Sequence, residues 1–101
     1  MFSKSFSFTS NLKRWNEGKG AWFYVTMPVD QSQEIKANYP FSGKGFGTIP
    51  VKVNIGQSRW KTSLFPSKEL SSYILFIKKQ VRTAESISPG DSVHITITVS
   101  V

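Results

Sequence analysis

Apolar and polar residues alternate in several short runs along the chain, and that period of two predicts strands before anything else is considered. Phe2, Phe6 and Phe8 face one way across residues 2–9, with Ser3, Ser5 and Ser7 facing the other. Val51, Val53 and Ile55 alternate with Lys52 and Asn54. After a turn at Gly56-Gln57, Ser58, Trp60, Thr62 and Leu64 alternate with Arg59, Lys61 and Ser63, until Pro66 closes the run. The two runs predict a hairpin with one cationic face. The clearest strand is the last, with Val93, Ile95, Ile97 and Val99 inward and Ser92, His94, Thr96 and Thr98 outward.

Two runs lack alternation and predict strands buried on both faces: Ala21–Met27, stopped by Pro28, and Tyr73–Ile77. Lys13–Gly20 is basic and punctuated by glycine, which predicts a loop. Asp30 with Gln33 has capping-box spacing and predicts a short helix from about Gln31 to Ala37, ending before Tyr39-Pro40. Ile77, Val81, Ala84 and Ile87 fall at helical spacing, so a second short helix is expected over Lys78–Ser86. Pro89-Gly90-Asp91 reads as a turn. The order strand, short helix, glycine-containing turn, strand therefore occurs twice, although the residue identities do not repeat. If the repeat is structural, a pseudo-twofold barrel follows, because each unit alone leaves an unpaired edge and an open apolar face.

The expected fold is thus mostly β: a small closed or split barrel of about six to seven strands with one or two short helices, in one domain spanning residues 1–101. With 101 residues, 39% of them hydrophobic and 14% aromatic, the chain has material for a core without staples. It contains no cysteine, which removes disulfides and thiolate metal sites. No continuous apolar run suits a signal peptide or a membrane span, and a cytoplasmic location is the expectation.

The family resemblance rests on Trp22-Phe23-Tyr24-Val25 to Pro28, Val51-x-Val53, Lys61-Thr62-Ser63-Leu64-x-Pro66, Tyr73-x-Leu75, Lys78-Lys79-x-Val81-Arg82 and Gly90-Asp91-x-Val93. Over nearly its whole length, Phe6 to Val99, the chain resembles a family of small bacterial β-barrel domains of unknown function. Some members of that family are fused to a segment described as bacteriocin-protection or YdeI/OmpD-associated. The resemblance implies a fold and no activity. One departure is that the family follows the final strand with an acidic residue, where this chain has Ser100-Val101. Tyr73–Val93 is also similar in order to the swapped-hairpin or double-split barrels of transition-state regulators and antitoxins, which implies dimers that bind DNA through basic residues.

Catalytic chemistry finds little support. His94, the single histidine, lies on the outward side of its strand, and the six acids are scattered through caps and turns. Ser63 lacks a nucleophile elbow, and Gly43-Lys44-Gly45-Phe46-Gly47 matches neither phosphate-loop pattern and reads as a bend. We expect a non-enzymatic barrel that serves as a binding or accessory module, with no cofactor and no metal; nucleic-acid binding is the first alternative. Binding fares better, because 13 Lys and Arg against 6 acids give a net charge of +7. Lys52, Arg59 and Lys61 on the hairpin, with Lys78, Lys79 and Arg82 on the second helix, are the candidates for contact with nucleic acid or another polyanion. Trp60 would stack a base if exposed; its parity places it in the core. A small-ligand barrel or weak enzyme, with its site between Trp22, Tyr24, Trp60, Ser63 and Tyr73, is the further alternative, predicting an apolar cavity of at least about 300 Å³. Monomer and homodimer both remain open at this level.

Overall fold

Seven antiparallel strands curl into a half-barrel in the computed structural model, which describes residues 3–18, 20–38 and 47–100. The strands are β1 (Ser3–Asn11), β2 (Lys13–Glu17), β3 (Gly20–Thr26), β4 (Ile49–Ile55), β5 (Ser58–Ser67), β6 (Ser72–Phe76) and β7 (Ser92–Ser100). Helix α1 (Val29–Asn38) lies between β3 and β4, and α2 (Lys79–Ala84) between β6 and β7. Spatial order is β1-β7-β4-β5-β6-β3-β2. Phe2, the Tyr39-Pro40 helix stop and residues 43–46 of the glycine-rich bend lie outside the described residues.

Alternation sets the inner face. Phe6, Phe8, Val51, Val53, Ile55, Leu64, Val93, Ile95, Ile97 and Val99 all point into one buried cluster, joined from the other side by Leu12, Val25, Tyr73 and Leu75. Ile35 of α1 and Val81 of α2 are buried against the same cluster, so the helices extend the core. Ser32 of α1 accepts a hydrogen bond from the Tyr73 backbone N–H at 3.1 Å, fixing the helix to β6. On its other side α1 reaches β1 through Gln31, which donates to the Ser7 carbonyl at 3.1 Å, and through the Lys4–Glu34 ion pair.

The twofold order expected from the sequence is present in the pairing itself. In β3·β6 the register is Tyr24↔Phe76, Val25↔Leu75 and Thr26↔Ile74, which is symmetric about the Val25–Leu75 pair. Beyond it, the Met27 N–H donates to the Tyr73 carbonyl at 3.0 Å and the Ile77 N–H donates to the Phe23 carbonyl at 2.8 Å. Strands β4 and β7 also pair with each other. β5 pairs first with β4 and then, from Phe65, with β6. The β1–β2 segment does the same, β1 pairing with β7 and β2 with β3, with Leu12 at the break.

Several local expectations are corrected. Lys13–Glu17 forms an edge strand, because Trp15 lies directly opposite Trp22 and the glycines serve a hairpin turn. Helix α1 begins at Val29, so Asp30 sits in its first turn, where it favours the helix dipole without being the cap. β5 runs through Pro66 to Ser67; the proline stands where the strand changes partners, opposite Tyr73. Ala84 is exposed, since α2 is too short to bury a second turn. Neither β3 nor β6 is buried on both faces: Val25, Tyr73 and Leu75 point inward, while Tyr24, Ile74 and Phe76 are half-buried and Trp22 is exposed.

Candidate nucleic-acid interface

The outward residues of β1, β7, β4 and β5 form cross-strand rows of polar side chains. One row runs Ser5, Thr98, Lys52, Lys61; the next runs Ser7, Thr96, Asn54, Arg59. Hydroxyl pairs hold them: Ser5 with Thr98 at 2.9 Å and Ser7 with Thr96 at 3.0 Å, while Arg59 Nε donates to Asn54 Oδ1 at 2.9 Å. His94, on the outward side as expected, meets the Thr9 hydroxyl at 3.3 Å. A depression of about 500 Å³ lies over these rows, bordered by Lys52, Asn54, Arg59, Lys61, Thr96 and Thr98.

Lys52 and Lys61 face each other directly across the β4·β5 ladder. Like charges at directly opposed positions destabilise a sheet. Among the described residues neither lysine has an ion-pair partner, and the sequences of β1, β3, β4, β5, β6 and β7 contain no Asp or Glu. The one ion pair among the described residues joins Lys4 and Glu34, and involves none of these cations. The acids occupy helices, turns and strand ends, and Glu85 and Asp91 have local work there. Glu85 accepts from the Ser58 hydroxyl at 2.7 Å and from the Gln57 N–H at 3.4 Å; Asp91 accepts from the Ser88 N–H at 2.8 Å.

The helix cations are placed differently. Arg82 is half-buried, its guanidinium 3.6 Å from the Phe23 ring centroid and its Nε donating to the Ile77 carbonyl at 3.2 Å. It secures α2 against β3. Lys78 places its ammonium 5.9 Å from the Trp60 ring centroid, and Lys79 is exposed in the first turn of α2. Trp60 shares the inward parity and is half-buried against the core. A cleft of about 340 Å³ opens there, lined among others by Trp22, Trp60, Phe76, Lys78 and Arg82.

Of the five residues expected to share a small-ligand pocket, Trp22 and Trp60 line this cleft together. Tyr24 packs edge-on to Phe76 at 6.4 Å, and Ser63 lies opposite Pro50 on the outer side of β5. Tyr73 is buried beside α1, next to a separate hollow of about 270 Å³. Its phenol is raised above the usual tyrosine range by burial.

Residue alternation alone would not have found Trp15 and Phe65, which are exposed on the outer face of the other half of the sheet. Trp15 fell in a stretch read as a loop, and Phe65 adjoins the proline read as a strand end. The signal that could have found the hairpin is the glycine pair of Glu17-Gly18-Lys19-Gly20 between Trp15 and Trp22.

Fold and surface together define a class: a small seven-stranded half-barrel with two helices and an open, cation-bearing outer sheet face. Residues 8–97 match the family described as a domain of unknown function, DUF1905, and the chain belongs to that family. Comparison with curated proteins gave no match. No helix among the described residues is long and apolar enough to cross a membrane, and no three His, Cys, Asp or Glu side chains among them cluster as metal ligands would.

Proposed function

We propose that the protein is a non-catalytic binding module whose ligand is nucleic acid, held through its phosphates by the outer face of β4 and β5. The observation that carries this reading is the opposed Lys52–Lys61 pair, flanked by Arg59 and hydroxyl rows on strands without a single acid. A sheet keeps such a pair at a cost to its own stability, and bound phosphates turn that cost into affinity. Arg82, engaged by Phe23 and the Ile77 carbonyl, contributes to the scaffold, while Lys78 and Lys79 extend the positive field.

The test is fluorescence anisotropy of a labelled oligonucleotide against the full chain at rising KCl. Neutralising about three phosphates on a single strand predicts a log–log slope of roughly −2. The triple variant Lys52→Gln, Arg59→Gln, Lys61→Gln should flatten that slope. A wild-type titration insensitive to salt, or no binding at low salt, defeats the reading.

A small-ligand module is the second reading, favoured by the aromatic cleft at Trp22, Trp60 and Phe76 with Lys78 at its rim. Its chemistry suits a flat anion such as a mononucleotide. Titration with AMP should then change tryptophan emission in a way that Trp60→Phe alters; an unchanged spectrum removes this reading.

A further inference from the structure

The outer face of β2, β3, β6 and β5 carries side chains of a different kind from the cationic half. Trp15 and Trp22 lie directly opposite each other, 51% and 52% exposed. Phe76 follows on β6, its ring 5.4 Å from Trp22 and 5.4 Å from Phe65 on β5, which is itself 42% exposed. Tyr24 flanks Phe76 on the same side, opposite Lys13 of the edge strand. The result is a staggered row of rings spanning four adjacent strands, open to solvent at Trp15, Trp22 and Phe65.

We propose that this row is a base-stacking platform and that the nucleic acid bound by the protein is single-stranded. This inference rests on the phosphate-binding reading and adds the partner class. Strand β5 connects the two surfaces. Its outward side chains are in turn Arg59, Lys61, Ser63 and Phe65, so one strand leads from charge to ring within about 14 Å at roughly 3.4 Å per residue. A chain of alternating phosphates and flat bases complements that sequence of groups. A duplex keeps its bases stacked inside and offers the rings nothing, whereas an unpaired strand offers a π-face at every nucleotide. Exposed aromatic rings beside the acid-free strands β4 and β5 match that polymer in charge as well as in shape.

The experiment compares a labelled oligothymidine of about 15 nucleotides with a duplex of equal length, using the full chain at one moderate salt concentration. The single strand should bind about tenfold or more tightly than the duplex and quench tryptophan emission. Trp22→Ala and Phe65→Ala should each weaken the single-strand complex by roughly tenfold, leaving duplex affinity and the salt slope unchanged. Trp22→Phe should recover most of the loss. Both positions are exposed, so circular dichroism should show the fold retained. Salt-dependent binding with equal affinity for both forms and no effect of the alanine variants overturns the platform and leaves the basic face standing. Absence of any salt-dependent binding overturns the basic face and the platform with it. A concentration-dependent dimer that Trp22→Ala dissolves, with oligonucleotide affinity unchanged, assigns the rings to a second copy and also overturns the proposal.

Discussion

Gly56 begins the β4–β5 turn at φ +57°, the left-handed region, and a Cβ added there would run into the Glu85 carboxylate. That carboxylate accepts hydrogen bonds from Gln57 and Ser58, so the turn that presents Arg59 is held from behind by the end of α2. Gly56→Ala should therefore cost more than the ~1–2 kcal/mol of the backbone conformation alone, read as a lowered urea midpoint. Lys61→Gln should behave in the opposite sense. Removing one member of the opposed lysine pair should raise the thermal midpoint of the free protein by the equivalent of about 0.2–1 kcal/mol while weakening oligonucleotide binding. A variant that loses both stability and binding would contradict the idea that the pair is kept for a ligand. Tyr73 supplies a pH dependence. In the unfolded chain its phenol ionises near pH 10, whereas burial delays this in the fold, so above about pH 10 the unfolded state holds fewer protons. Stability from this group is complete below that pH and falls as pH rises toward the folded value. Tyr73→Phe should flatten the decline of the urea midpoint between about pH 9 and pH 11.

At the scale of elements, α1 depends on one side chain more than its exposure pattern suggests. Ser32 is buried and supplies the acceptor for the Tyr73 N–H, which takes no strand partner there. Ser32→Ala should cost about 1–3 kcal/mol, because it leaves a buried donor unpaired; Ser32→Thr should be milder. The same scale shows what sequence periodicity conveys. β4 and β7 were legible because one face is core and the other is solvent, so each side chain declares its side. The cationic face was legible for the same reason, since Lys52, Arg59 and Lys61 occupy the polar phase of that alternation. β2 was not, because an edge strand with both faces largely exposed has no reason to alternate apolar with polar. The aromatic runs in β3 and β6 misled in the other direction. Trp22, Tyr24 and Phe76 look like core by composition, yet they line an outer face, and only the register of four strands reveals it. Proline misled too, as Pro66 marks a change of pairing partner inside a continuing strand.

Over the whole molecule, the two halves interlock. Among the described residues, those before Gly56 contain one internal strand pair, β2·β3, and those after Gln57 contain one, β5·β6. Every other pairing, β1·β7, β4·β5, β4·β7 and β3·β6, crosses between them. Fragments 1–56 and 57–101 made separately should each lack the far-ultraviolet signature of a sheet and should regain it when mixed. A fragment that folds alone would refute the interlocked arrangement.

The pairing of the first strand with the last has a consequence for how the protein is made. Ser3 meets Ser100 and Asn11 meets Ser92, so β1 has no ladder to join until some 80 residues after it have been translated. At roughly 5–20 residues per second, Phe6 and Phe8 wait on the order of 4–16 s after their own synthesis before β7 is made. Chains arrested before β7 should be cut readily beside those phenylalanines by a protease, and chains that include β7 should resist the cut.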